Sequence, residues 1–189
     1  MIVFNIGKTQ VRMDFSFFAV LCICFFLDKS GVCLLSVLAA AVHELGHFAV
    51  ILLCGAPPDS LTFYGAGIRI GCPYQRLAFW GQLCVLAAGC CTNLLLFAAA
   101  MLCGAEKFAA VNLVTCAFNL LCIGQLDGAL IVRAVCAYMG FGGWFSALAA
   151  LLSFGAAAAV LIISGSGMGI TFYLTAAYML LMGLRELKN

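Results

Sequence analysis

The chain has 189 residues, of which 66% are hydrophobic and only 8% are charged. Soluble domains carry about 25% charged residues, so this composition excludes an ordinary soluble protein and predicts an integral membrane protein. The net charge of +2 is spread over short loops and forms no basic stripe, which excludes nucleic acid as a partner.

Six apolar segments have about the length needed to cross the roughly 30 Å hydrocarbon core of a bilayer. They lie at about 15–27, 32–54, 77–103, 108–132, 144–164 and 168–184. The first is short and follows Lys8 and Arg12, as a signal peptide would, but no small-residue cleavage site comes after it. Because the six segments fill nearly the whole chain, the sequence predicts a single all-α membrane domain over residues 1–189.

The basic residues predict the orientation of this domain. With six spans both termini lie on the same side, and the Lys and Arg residues divide seven to two between the faces. The face opposite the termini has only Lys29 and Lys107. The face of the termini has the other seven, which are Lys8, Arg12, Arg69, Arg76, Arg133, Arg185 and Lys188. By the positive-inside rule, we expect a multi-pass protein of the cell membrane with both termini in the cytoplasm.

The longest connection, residues 55–76, separates the second and third spans and has a pattern of its own. From Leu61 to Arg69, two sets of residues alternate along the chain with a period of two, as the residues on the two faces of a strand do. Such alternation predicts a short strand or hairpin on the cytoplasmic face. A surface loop held by a few aromatic side chains is the alternative.

The 12 cysteines lie mostly within the predicted spans, and no C-x-x-C pair occurs. They are therefore interpreted as small apolar packing residues, and not as a disulfide framework or a cysteine zinc site.

Few ionisable groups lie within the predicted spans. Glu44 and Asp127 are the only acidic residues well inside them, and His43 and His47 are the only histidines in the chain. A charged side chain at the centre of a bilayer costs about 2.5–3.5 kcal/mol on insertion scales, so such a group indicates a functional site.

His43, Glu44 and His47 form an H-E-x-x-H motif in the second span. Histidines at i and i+4 share one helical face and can bind one zinc ion, and the glutamate between them can act as general base. A chance match with two structurally bonded histidines is the alternative. Catalytic zinc usually takes three protein ligands, and Asp127 is the candidate third because its predicted depth is within roughly 6 Å of that of His47.

Asp127 has an alternative interpretation as an interfacial aspartate at a helix end. Gly124 and Gly128 flank it and could loosen the helix so that the carboxylate turns toward the metal. Gln125 could then orient a ligand or bond exposed backbone.

Three motifs together resemble the site-2 protease family of intramembrane zinc metalloproteases. They are "HELGH" in the second span, "GCCTN" at 89–93 and "FNLLCIGQLDG" at 118–128, and the resemblance covers about residues 32–132. It implies one zinc ion with His43, His47 and Asp127 as ligands and Glu44 as catalytic base. It also implies that Asn93 and Asn119 lie near the active site, although interhelical hydrogen bonding explains these two residues equally well.

The chain looks most like the bacterial subgroup that includes the sporulation protease for a sigma-factor precursor. It lacks the PDZ insertion of other members, and because the chain stops at Asn189 we expect no C-terminal CBS domain. Around the aspartate, Cys122 and Gln125 replace the prolines usual in the family, and Ala129 replaces its second glycine. These departures weaken the helix-breaking elements and leave the implied ligands intact.

The resemblance implies hydrolysis of a peptide bond within or next to a transmembrane segment. The expected partners are the lipid bilayer, a membrane-associated substrate such as a sigma-factor precursor or an anti-sigma factor, and a regulatory membrane protein. Two alternatives use the same residues: a zinc transporter, and an inactive homologue that binds a partner helix without cutting it.

Overall fold

The computed structural model describes residues 1–163 except Lys8, Ala66 and Gly142. The predicted last span, 168–184, lies outside the described residues. The chain forms two compact units, Met1–Ala117 and Phe118–Asn189. The described part is mostly helical but also contains a four-stranded sheet, so the prediction of an all-α domain was wrong in this respect.

The first unit holds the sheet and the two longest helices of the described residues. Its elements are β1 (Ile2–Ile6), β2 (Thr9–Met13), α1 (Phe15–Leu27), α2 (Val32–Leu53), β3 (Ser60–Tyr64), β4 (Gly67–Gly71), a 3₁₀ turn (Tyr74–Arg76), α3 (Phe79–Leu102) and α4 (Glu106–Asn119). The last two residues of α4 belong to the second unit, which continues with α5 (Asp127–Met139) and α6 (Gly143–Ile163).

The sheet has the order β1-β2-β3-β4. Its outer pairs, β1–β2 and β3–β4, are antiparallel, and the central pair β2–β3 is parallel. A parallel pair needs a crossover connection, and here α1 and α2 supply it. The β3–β4 hairpin confirms the strand predicted from the alternation over 61–69.

Two helices of the described residues, α2 with 22 residues and α3 with 24, are long and apolar enough to cross a membrane. They coincide with the second and third predicted spans. Helix α1 has 13 residues, which gives it a length of roughly 20 Å and leaves it short of a bilayer core of roughly 30 Å. Helix α6 coincides with the fifth predicted span.

The fourth predicted span is not one helix, so the prediction of a continuous segment over 108–132 was wrong. Helix α4 ends at Asn119 and α5 begins at Asp127. Gly124, with φ +63°, takes a left-handed conformation that ordinary residues avoid. Gly128 has no room for a side chain, because a Cβ there would collide with the carbonyl of Leu120. The segment 120–126 therefore folds back closely on the start of α5.

Helices α2 and α3 pack closely through small residues. A Cβ added to Gly46 would lie 3.0 Å from the carbonyl oxygen of Ala88 and would collide with the Thr92 hydroxyl. Small residues at a helix crossing permit this approach. The contact places the buried face of α2, which includes both histidines, against the buried face of α3.

The connection from α1 to α2 is ordered by Asp28. One carboxylate oxygen accepts hydrogen bonds from the amide and hydroxyl of Ser30 at 2.9 and 2.8 Å, and the other accepts the Cys33 amide at 2.7 Å. The hydroxyl of Ser30, followed by these amides, holds the pKa of Asp28 below its ordinary value. Asp28 thus satisfies one of the amides that the first turn of α2 leaves without a helical acceptor.

Candidate metal centre

His43 and His47 lie one turn apart on α2, and both are buried, with exposures of 3% and 9%. Their ring centroids are 4.8 Å apart and their ring planes are inclined by 79°. The two Nε2 atoms are separated by 3.1 Å. The structure therefore brings the two histidines together at one point, in the way that their i, i+4 spacing predicts.

The opposite nitrogen of each ring faces an oxygen atom. His47 Nδ1 lies 2.8 Å from the carbonyl oxygen of Val85, and His43 Nδ1 lies 2.6 Å from Asn93 Oδ1. A carbonyl oxygen only accepts, so the Nδ1 of His47 donates. Asn93 turns its oxygen toward His43 because its nitrogen donates to the carbonyl of Ala39 at 3.1 Å. In their neutral forms both rings therefore carry the proton on Nδ1 and a lone pair on Nε2.

This arrangement fits a zinc ion. Zn–N bonds of about 2.0–2.1 Å in tetrahedral geometry place two nitrogen ligands about 3.3 Å apart. The Nε2 atoms of His43 and His47 are 3.1 Å apart. Histidine ligands usually donate their other ring N–H to an oxygen, as both rings do here. Since two lone pairs so close together repel each other, a cation between them would stabilise the pair.

Gly89 of α3 keeps space open beside the two rings. A Cβ added there would lie 2.6 Å from His43 Cε1 and would also collide with His47 Nε2. Gly89 lies in the "GCCTN" motif, and no role for it was predicted from the sequence. Its signal was a glycine inside an apolar helix, where such a residue is unfavourable unless close packing requires it.

Glu44 lies on α2 next to His43 and is half-buried. At about 100° per residue, the helix places Glu44 about 60° around its axis from His47. Glu44 therefore borders the histidine face and is less deeply buried than the histidines. This position suits a carboxylate that exchanges protons with water.

Asp127 is the first residue of α5 and is half-buried. The N-terminus of a helix carries a partial positive charge, which stabilises a carboxylate there. The segment before it is held by two side chains of its own unit. Ser153 Oγ accepts the Cys122 amide at 3.0 Å, and Arg133 Nη2 donates to the carbonyl of Gly124 at 3.0 Å. Arg133 was considered only as one of the basic residues on the face of the termini, and its contact with this segment was missed.

The predicted site residues divide between the two units. His43, Glu44, His47 and Asn93 belong to the first unit, where the histidines and Asn93 are in direct contact. Asn119, the last residue of α4, Gln125, which is exposed, and Asp127 belong to the second unit. The role of Asp127 as a third ligand stays a prediction, as do the roles of Asn119 and Gln125.

Comparison with known proteins gives a likeness of fold. No protein-family model matches the chain, and neither does any curated protein. Three chains among the solved structures match it. One is the site-2 protease from Methanocaldococcus jannaschii, with 19% sequence identity and a TM-score of 0.67 over 98% of this chain and 94% of that chain. At this identity the likeness shows that the two chains share a fold.

Proposed function

We propose that this chain is an intramembrane zinc metalloprotease of the site-2 protease type. The observation that carries the proposal is the pair of buried Nε2 atoms, 3.1 Å apart, on a helix that is long and apolar enough to cross a membrane. The shared fold supports the same reading. Peptide hydrolysis at this pair would take place within the bilayer or at its edge.

His43 and His47 would hold the zinc ion through their Nε2 atoms, with Asp127 as the third ligand. The two Nδ1 hydrogen bonds, to Asn93 and to the Val85 carbonyl, keep the rings in the tautomer and orientation that this requires. Bound there, zinc would supply a Lewis acid for the attack of water on a peptide carbonyl.

Glu44 is the proton carrier in this proposal. Its carboxylate takes a proton from the attacking water and delivers it to the departing amine. The position of Glu44 beside His43 on the same helix places it next to the proposed ligands without making it one of them. The family resemblance assigns it the same role.

A substrate helix hides its carbonyls in internal hydrogen bonds, so cleavage requires local unwinding. The sheet offers an edge for the unwound segment. Strand β3 is paired on both sides, whereas β4 pairs only with β3 among the described strands. The strand-like part of 55–76 is one place where an extended substrate segment could pair by strand addition, and Phe63→Pro is the simplest change that would disrupt it. Phe63 lies in β3 and has partners in both neighbours, so a proline there would damage the sheet itself.

We therefore expect the substrate to pair with the free edge of β4. A photo-cross-linking amino acid at Ile70 of β4, in a Glu44→Gln background, should capture the substrate. The same amino acid at Val3 of β1, the opposite edge of the sheet, is the matched control and should capture little. Equal capture from both positions would contradict pairing at β4.

The substrate class is a membrane-associated protein. A sigma-factor precursor or an anti-sigma factor is proposed as substrate, and a regulatory membrane protein as partner. These two proposals are supported only by the resemblance to the sporulation subgroup. The seven-to-two division of basic residues supports a cell-membrane location with both termini in the cytoplasm.

The proposed function is tested by replacing Asp127 in the purified full chain. Asp127→Ala should lose both bound zinc and cleavage of single-span membrane proteins, because two imidazoles alone hold zinc weakly. Asp59→Ala, which removes an exposed acid from the loop before β3, should lose neither. Full zinc content together with full cleavage in Asp127→Ala would refute the proposed ligand set.

A further inference from the structure

A chain of buried amides leads from His43 to α4. Asn93 and Asn112 are both 0% exposed. The nitrogen of Asn93 donates to Asn112 Oδ1 at 2.9 Å, and the nitrogen of Asn112 donates to the Phe108 carbonyl of its own helix at 2.9 Å. No role for Asn112 was predicted from the sequence.

The direction of every hydrogen bond in this chain is fixed at its far end. The Phe108 carbonyl only accepts, so Asn112 must turn its nitrogen toward it and its oxygen toward Asn93. Asn93 must then turn its nitrogen toward Asn112, which leaves its oxygen facing His43. His43 accordingly carries its proton on Nδ1.

Asn112 makes the opposite orientation of the Asn93 side-chain amide unfavourable. A flipped Asn93 amide would place its oxygen against two acceptors, the Ala39 carbonyl and Asn112 Oδ1. Without Asn112 only one of these repulsions would remain. A flipped amide would also point its nitrogen at His43 Nδ1 and so move the ring proton to Nε2. The lone pair that faces His47 would then be lost.

We propose that Asn112 is a positioning residue that acts through Asn93 to hold His43 in the tautomer that presents Nε2 to the metal. The functional purpose of this tautomer rests on the proposed zinc site. The polar chain itself belongs to the first unit alone, and each of its hydrogen bonds joins two protein atoms without passing through a metal ion. A test on metal-free protein therefore separates the two proposals.

The chain contains only two histidines, which makes the tautomer directly measurable. In metal-free protein with ¹⁵N-labelled histidine, long-range ¹H–¹⁵N spectra should show both rings protonated on Nδ1. Asn112→Leu, which keeps a similar volume and removes the acceptor, should give a mixture of tautomers at His43. His47 bonds to the Val85 backbone and should not change, so it serves as the internal control.

Zinc affinity gives the second readout. Loss of a group that supports a ligand typically costs 10–100-fold in metal affinity, and we expect a loss of about that size in Asn112→Leu. Asn112→Asp, buried as the neutral acid, would donate its O–H to the Phe108 carbonyl and keep an oxygen for Asn93, so it should retain both the tautomer and most of the affinity. Ala109→Gly weakens the same helix at a buried apolar position and should lower thermal stability without changing His43.

The proposal is overturned if His43 keeps a single Nδ1–H tautomer in Asn112→Leu, or if Ala109→Gly disturbs His43 equally. Should Asn112→Leu fail to fold, Asn112→Ser makes the same test, because its shorter hydroxyl does not reach Asn93. A wild-type protein with the expected tautomers that binds no zinc would contradict the proposed function and leave the role of Asn112 intact. If the wild-type protein binds zinc but the tautomer of His43 is unchanged in Asn112→Leu, the role of Asn112 is contradicted and the proposed function stays intact.

Discussion

Gly89→Ala is expected to abolish zinc binding and, with it, any cleavage. The added Cβ would lie 2.6 Å from His43 Cε1 and would collide with His47 Nε2. Helix α3 has little freedom to withdraw, because it is in close contact with α2 at Gly46 as well. The two rings would have to turn away from each other and lose their Nδ1 hydrogen bonds. Loss of a group that only supports a ligand costs about 10–100-fold in metal affinity, so displacing both ligand rings should cost more than this and leave no measurable zinc binding.

Metal analysis of the purified protein and zinc titration measure this effect. Gly81→Ala is the matched control on the same helix, since a Cβ there meets only the Leu77 side chain, at 3.2 Å. It should keep wild-type zinc affinity. Wild-type zinc binding in Gly89→Ala would show that the metal does not lie between these two rings.

Glu44→Gln is expected to keep zinc and lose cleavage. Glutamine has the shape of glutamate but does not take a proton from water, and general-base catalysis contributes about 10²–10⁴-fold to rate. The histidine rings should stay in place because Asn93 and the Val85 carbonyl hold them, and neither bond involves Glu44. The variant should therefore have normal zinc content and a cleavage rate lower by about that factor.

Zinc content and cleavage rate are measured on the same preparation. Glu106→Gln makes the same chemical change at an exposed position in the first turn of α4 and should alter neither quantity. If Glu44→Gln cleaved at the wild-type rate, Glu44 would not be the base. If it lost zinc as well, Glu44 would act as a ligand or a structural group.

The parts of the site that follow from local geometry could be predicted from the sequence. The convergence of His43 and His47 needs only the i, i+4 spacing on a helix. The β3–β4 hairpin follows from alternation over a short stretch. Neither depends on how distant segments meet.

The hydrogen-bond partners of the histidines could not be derived from residue spacing, because they come from other helices, and the resemblance implied only that Asn93 lies near the active site. His47 bonds the Val85 carbonyl, 38 residues away, and His43 bonds Asn93, 50 residues away. Asn112 reaches His43 only through Asn93. Close packing decides which of several apolar helix faces meet at a crossing. This packing is difficult to predict from a single sequence. In the sequence, Gly46 and Gly89 are the residues that indicate close packing between these helices.

The N-terminal hairpin was missed for a related reason. Strand β1, "IVFNI", has no alternation, and its residues are exposed. Strand β2 takes its place beside β3 by pairing with residues about 50 positions later. Strand formation that depends on such non-local pairing is weakly encoded in local propensity.

The break before Asp127 was hidden by hydropathy, since residues 120–126 are as apolar as a span. The structure also shows how this chain interrupts the helix without the prolines that the resemblance to site-2 proteases leads one to expect. Gly124 provides the left-handed turn, Gly128 the close approach, and Ser153 and Arg133 hydrogen bonds to the backbone of the segment. The missing prolines therefore do not argue against a working site.

The proposed activity is cleavage of proteins within the membrane by means of zinc and Glu44. It can be tested by comparing membranes from cells that produce the wild-type chain with membranes from cells that produce Glu44→Gln, by mapping all new protein N-termini. We expect new N-termini within or next to apolar segments in the wild-type membranes alone, and their loss when zinc is chelated. The same new N-termini with both chains, or zinc uptake by reconstituted vesicles without any cleavage, would contradict it.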